Sequence, residues 1–126
     1  MAIEKTIIKR THNAAVVKVV CNSTSGGTIT VTLSGDLKLA QETFVPASAD
    51  VHITQAYWAI KNGKDAVVQR VAADASLHGD YYLSNTGHFK FLGFRDSTES
   101  GGDIKVTFSG EGMVMLTLSK ESGFAI

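Results

Sequence analysis

Apolar and polar residues take turns, one for one, wherever this 126-residue chain shows a period at all. Ile29, Val31 and Leu33 alternate with Thr30 and Thr32, and Ile104, Val106 and Phe108 with Lys105 and Thr107; Val114, Leu116 and Leu118 follow the same rule. Period two puts successive side chains on opposite faces of an extended strand, one toward a core and one toward water. Further runs rich in β-branched and aromatic residues lie at 7–11, 15–20, 51–60, 66–72, 81–84 and 88–94, so the pattern predicts about nine strands. Ser25-Gly26-Gly27, Asn62-Gly63, Asn85-Thr86-Gly87, Gly101-Gly102 and Gly110-Glu111-Gly112 separate them with turn residues. Asn62-Gly63 reads as the cleanest hairpin turn, pairing the run that ends at Ile60 with the strand near Ala66. Only Asp36 to Glu42 suits a helical turn, and an extended path fits it as well. The expected fold is all-β, an antiparallel β-sandwich or barrel of jelly-roll type, in a single domain spanning 1–126.

Composition narrows the partners. Hydrophobic residues make up 44% and charged residues 19%, which is globular rather than disordered. Twelve basic residues balance twelve acidic ones, so the field that holds nucleic acid through its phosphates is missing. No run approaches a membrane span, and Met1-Ala2-Ile3-Glu4-Lys5 lacks the apolar core of a signal peptide, so the expectation is synthesis in the cytoplasm without a membrane partner. Cys21, the single cysteine, ends an apolar run and reads as a buried small hydrophobe.

Chemical motifs are scarce. There is no phosphate-cradling P-loop, no dinucleotide-binding glycine pattern and no Gly-x-Ser-x-Gly elbow. His12, His52, His78 and His88 are scattered without ligand spacing, and His52 and His88 read as histidines on the wet face of strands. Asp74, Asp80, Asp96 and Glu99 fall in turn-like segments, where acids bond nearby backbone, rather than forming a catalytic pair. The expectation is a protein without catalytic residues, cofactor or metal. Aromatics cluster at Tyr57-Trp58, Tyr81-Tyr82, Phe89, Phe91 and Phe94; neighbours on a strand point to opposite faces, so one of each pair enters the core while the other can reach a partner or stack on a sugar. Hydroxyls fill the polar phases, at Thr28, Thr30, Thr32, Ser34, Thr107, Ser109, Thr117 and Ser119, and such faces are easier to cover than faces of lysine and glutamate.

In Thr28 to Ser34, Ile53 to Trp58 and the closing stretch Asp103 to Phe124, the chain resembles the small accessory virion proteins of tailed bacteriophages, above all head decoration (cement) proteins. The resemblance is one of overall character and carries over no functional residue. It implies a virion structural protein, made in the host cytoplasm, that stabilises the head through contacts with the major capsid protein or other virion subunits, as a homo-oligomer. A neck, tail or fibre component and a carbohydrate-binding module are the alternatives. Residues 1–8 and 121–126 are candidate docking termini, since both carry more apolar residues than a free tail needs. The candidate interface residues are Ile3, Ile7, Phe124 and Ile126 at the ends, then Tyr81, Tyr82, Phe89 and Phe94.

Overall fold

The alternating runs become strands in the computed structural model, which describes residues 3–45, 50–71, 77–90 and 102–125, the side chains of 77–80 and 121–122 excepted. In chain order the strands are β1 (Ile3–Arg10), β2 (Ala14–Cys21), β3 (Gly27–Val31), β4 (Thr43–Phe44), β5 (Asp50–Ile60), β6 (Asp65–Val71), β7 (Leu77–Ser84), β8 (Thr86–Lys90), β9 (Ile104–Phe108), β10 (Gly112–Ser122) and β11 (Phe124–Ala125). The fold is all-β and every pairing is antiparallel. The two-residue β4 and β11 are too short to carry a period, so they were not legible as strands.

The strands form a five-stranded sheet in the order β1-β2-β10-β5-β8, a four-stranded sheet in the order β3-β9-β6-β7, and a small β11-β4 ladder. With β1 set aside, β2-β10-β5-β8 and β3-β9-β6-β7 stand in the order that two Greek keys give in a jelly roll. Both sheets feed one apolar core: Val17, Val19, Val114, Leu116, Leu118, Val51 and Ile53 from the first, Val31, Ala66, Val68, Ile104, Val106 and Phe108 from the second. Cys21 is buried among them with a free thiol. Along β5 a bulge at Thr54 lets Gln55 follow Ile53 in the register with β10, so the inward phase passes from Val51 and Ile53 to Ala56, Trp58 and Ile60.

Asn62-Gly63 does not make the expected hairpin. Gly63 has φ +83° while Asn62 is not in the left-handed region, and Lys64 N–H bonds to Lys61 O at 3.0 Å. A two-residue hairpin turn of the tightest kind needs positive φ at both central positions. The turn instead carries the chain from β5 in one sheet to β6 in the other.

Two devices tie the flanks of the layers together. On one side β7 and β8 run almost continuously and switch sheets at Asn85, which adopts φ 58° and offers its carbonyl to Ile60 N–H at 2.6 Å. Asparagine tolerates that left-handed conformation better than most residues. On the other side Lys5 reaches inward from the edge strand β1, bonding Thr30 O on β3 and the Asp36 carboxylate, each at 2.6 Å. Asp36 sits in a π-helical turn at Leu33–Leu37, slightly earlier than the Asp36 to Glu42 stretch the sequence suggested, because Thr32 caps it and Leu33 and Leu37 both enter the core. Burial raises the Asp36 pKa, but hydrogen bonds from Lys5 and Thr32 outweigh it and hold the carboxyl below its ordinary value.

Candidate functional site

Three rows of outward side chains cross the five-stranded sheet. In strand order β1-β2-β10-β5-β8 they read Glu4, Val20, Met113, Ala59, Thr86; then Thr6, Lys18, Met115, Tyr57, His88; then Lys9, Val16, Thr117, Gln55, Lys90. Ile8, extruded by the bulge between Ile7 and Lys9, adds an apolar side chain 53% exposed at the β1 rim. Tyr57 is 43% exposed and lies with its ring centroid 5.9 Å from that of His88. Val16, Val20, Met113 and Met115 are half-buried, and Glu4, Thr6, Ile8, Lys18 and Val20 line a shallow open groove between β1 and β2. The centre of this face is therefore apolar, with charge at its margins and at Lys18.

The outer face of the four-stranded sheet has a different character. Thr28, Thr107, Val67 and Tyr82 form one row and Thr30, Lys105 and Gln69 the next. Thr28 Oγ1 donates to Thr107 Oγ1 at 3.3 Å, and Tyr82 stands 77% exposed. Hydroxyl residues suit water on this side without further cover.

The buried charges point into the structure. Lys120 continues the inward phase of Leu116 and Leu118, and its fully buried ammonium donates to Leu37 O at 2.7 Å, Thr11 O at 2.8 Å and Glu42 Oε1 at 2.9 Å, using all three of its hydrogens. It also lies 4.4 Å from the centroid of the Phe124 ring. Glu42 accepts from Leu39 N–H at 2.7 Å and from His12 Nδ1 at 2.5 Å. Burial pushes its pKa up, yet the bonds from Leu39, Lys120 and His12 win and lower it to about 2. Arg70, in the inward phase of Ala66 and Val68, is fully buried and bonds Val51 O on the opposite layer at 3.0 Å and Gly102 O at 2.9 and 3.2 Å. These groups bind carbonyls and one another across layers, which is the chemistry of stapling. Among the described residues no group of three His, Cys, Asp or Glu side chains is arranged around a metal position.

The residues singled out in the sequence do not converge on one surface. Ile3 and Phe124 enter the core; Phe124 stacks on Phe44 at a centroid distance of 5.4 Å and is held there by the β11-β4 ladder. Ile7 and Tyr81 are half-buried against the same core. Tyr82 and Phe89 are exposed but belong to different sheets. Phe94, Ile126, Asp74, Asp96 and Glu99 lie outside the described residues, as do the side chains of His78 and Asp80. His52 is a correction: its neighbour on the same strand face, Asp50, draws the ring in, with Nε2 2.8 Å from Oδ1, and leaves the residue 5% exposed. His88 is exposed, and each aromatic pair divides between faces: Trp58 turns inward over Gly87 and donates to Ser84 O at 3.0 Å while Tyr57 faces out. The apolar row through Met113 and Met115 escaped the sequence reading. Its signal is a loss of alternation, since Ala14 to Val17, Val19-Val20 and Met113 to Leu116 are apolar in both phases.

No protein-family model and no curated protein sequence matches the chain. Among solved structures it is similar to peruvianin-I, a cysteine peptidase from Thevetia peruviana latex, at 10% identity and a TM-score of 0.45 over 97% of this chain and 64% of that one. It is also similar to KdgF from Halomonas sp., at 10% identity and a TM-score of 0.40 over 96% and 82% of the two chains.

Proposed function

We propose that the chain is a non-catalytic structural protein of a tailed-phage particle, a head decoration protein that reinforces the shell by docking the outer face of its five-stranded sheet against protein. One observation carries the docking: apart from Lys18, β2 and the first half of β10 are apolar in both phases, although the opposing layer covers only one of them. An antiparallel strand with one wet face shows clean alternation, whereas continuous apolar runs belong to strands covered on both sides. Met113 and Met115 add side chains that conform to irregular partner surfaces. The phage setting rests on the resemblance of the sequence to decoration proteins, and the jelly-roll strand order suits it, since that architecture serves capsid and lectin domains alike.

The mechanism is cumulative burial. Each Å² of apolar surface removed from water contributes roughly 25 cal/mol, part of which is offset by lost freedom on association, and repetition over a lattice multiplies what remains. Co-sedimentation with phage heads tests the reading: the wild type is expected in the pellet and the Met115→Lys variant in the supernatant. Equal pelleting of both removes this face from the proposal. Glycan binding now rests on Tyr57 and Tyr82, because Trp58 is committed to Gly87 and Ser84; retention on a glycan array that disappears in Tyr82→Ala would favour that second reading instead.

A further inference from the structure

We infer that the outer face of the five-stranded sheet is occupied by the same face of a second copy, giving a two-fold dimer stacked back to back through β10. The inference rests on the reading of this face as a docking surface and goes further by naming its occupant, a second copy and not the shell itself, so that heads are met by the pair and not by this face. A surface that meets itself must be self-complementary, each contact recurring with the partners exchanged. Consider a two-fold axis lying in the interface, nearly along β10. It stacks β10 on the second copy's β10, β2 on its β5 and β1 on its β8, since β10 is the middle strand of five.

The three rows then match position by position, except that at the rim Lys9 comes opposite the partner's Lys90, where both ammonium groups stay in water and salt screens them. Met113 and Met115 fall on the axis and pack against their own copies. Val20 lies opposite the partner's Ala59, apolar on apolar, and Val16 opposite the partner's Gln55. Lys18, the one charged residue in the central three strands of these rows, comes over the partner's Tyr57. A lysine ammonium over an exposed tyrosine ring is attracted by the ring's negative face, so the axis places the single central charge where it is stabilised. Glu4, Lys9, His88 and Lys90 stay at the rim, in contact with water. An axis across the strands would pair Glu4 with the partner's Lys9 at the wet rim, where a salt bridge is worth little, but would set Lys18 on the partner's Lys18 at the centre, where water is excluded and like charges cost most.

The dimensions agree. Five strands at about 4.8 Å spacing and three rows about 6.8 Å apart give about 500 Å² per side with the β1 and β8 rims included, or about 1,000 Å² for the pair, at the weak, reversible end of protein interfaces. Sheets that meet in this way lie aligned about 10 Å apart.

Sedimentation equilibrium on the full chain across a concentration series tests it. The expected result is reversible formation of a species of twice the 13.4 kDa chain mass. Met115→Lys is expected to be monomeric, Lys18→Glu to dissociate about tenfold more readily, and Thr107→Lys, the same kind of change on the other sheet, to dimerise normally. A circular-dichroism melt on each variant keeps loss of fold apart from loss of contact. A wild type that stays monomeric throughout, or a folded Met115→Lys that still dimerises, overturns the inference. Head binding separates the two claims: a monomer whose binding to heads is lost in Met115→Lys leaves the docking surface standing with a capsid subunit as its occupant. A dimer abolished by Met115→Lys without loss of head binding keeps the inference and removes the face from head docking.

Discussion

Replacing Lys120 with methionine removes one ammonium and leaves the length and much of the volume of the side chain in place. In the folded protein that ammonium has no contact with water and makes three hydrogen bonds, to Leu37 O, Thr11 O and Glu42 Oε1. Its loss strands the Glu42 carboxylate, whose side chain is equally inaccessible, with Leu39 N–H and His12 as its remaining partners. Removing one member of a buried ion pair destabilises by about 3–5 kcal/mol, because the survivor stays desolvated. For a chain of 126 residues the unfolding entropy is about 0.26 kcal/mol/K, so the expected fall in Tm is about 10–20 °C. Differential scanning calorimetry on wild type, Lys120→Met, Glu42→Gln and the double variant reads the effect and its coupling. The double variant should recover part of the loss, since no unpaired charge remains. A drop of less than about 1 kcal/mol in Lys120→Met, or a double variant as destabilised as the sum of the singles, would falsify the claim that these two side chains act as one unit.

Two further expectations rest on single positions. The Glu42 carboxyl has its folded-state pKa lowered from 4.5 to about 2, so its ionised form stabilises the fold fully above about pH 4.5 and that contribution disappears as pH falls toward 2. Urea titrations from pH 6 down to pH 2 should show the stability gap between wild type and Glu42→Gln closing across that window; a constant gap contradicts it. A Cβ at Gly87 would lie 2.3 Å from Trp58 Cζ2, so Gly87→Ala is expected to displace the indole, break its bond to Ser84 O, shift tryptophan fluorescence and lower stability by about 1–3 kcal/mol. An unchanged emission spectrum would count against the packing of Trp58 over this glycine.

The strands were legible because β-branched residues in period two leave little alternative to a half-buried sheet. Val51 to Ile60 is bounded in the sequence within a residue of β5, the burial of Cys21 followed from its place at the end of an apolar run, and the splitting of Tyr57 from Trp58 followed from the period of two. Pairing was harder to read, because adjacency in sequence suggested β5 with β6, whereas β5 lies between β10 and β8. Such partners are set by burial over long separations, which no local window holds. The staples were visible only as exceptions: Arg70 and Lys120 occupy core phases after Val68 and Leu118, and a cation there implies an internal partner without naming it. The docking face was hidden for the opposite reason, since Met113 and Met115 break a rule by omission, filling with apolar residues the phase that Thr117 and Ser119 continue as polar.

The place of β10 also bears on how the protein is made. It is the middle strand of its sheet, joining β2 through pairs such as Cys21 with Gly112 and β5 through Ile60 with the same glycine, so partners lie about ninety and about fifty residues apart in sequence. While the chain emerges from the ribosome, β2 and β5 must wait with unpaired edges until residues 112–122 arrive, and β2 waits with apolar side chains on both faces. Assembly of the sheet is therefore a late, all-at-once event, and the nascent chain is most exposed to aggregation in the interval before the last long strand is synthesised.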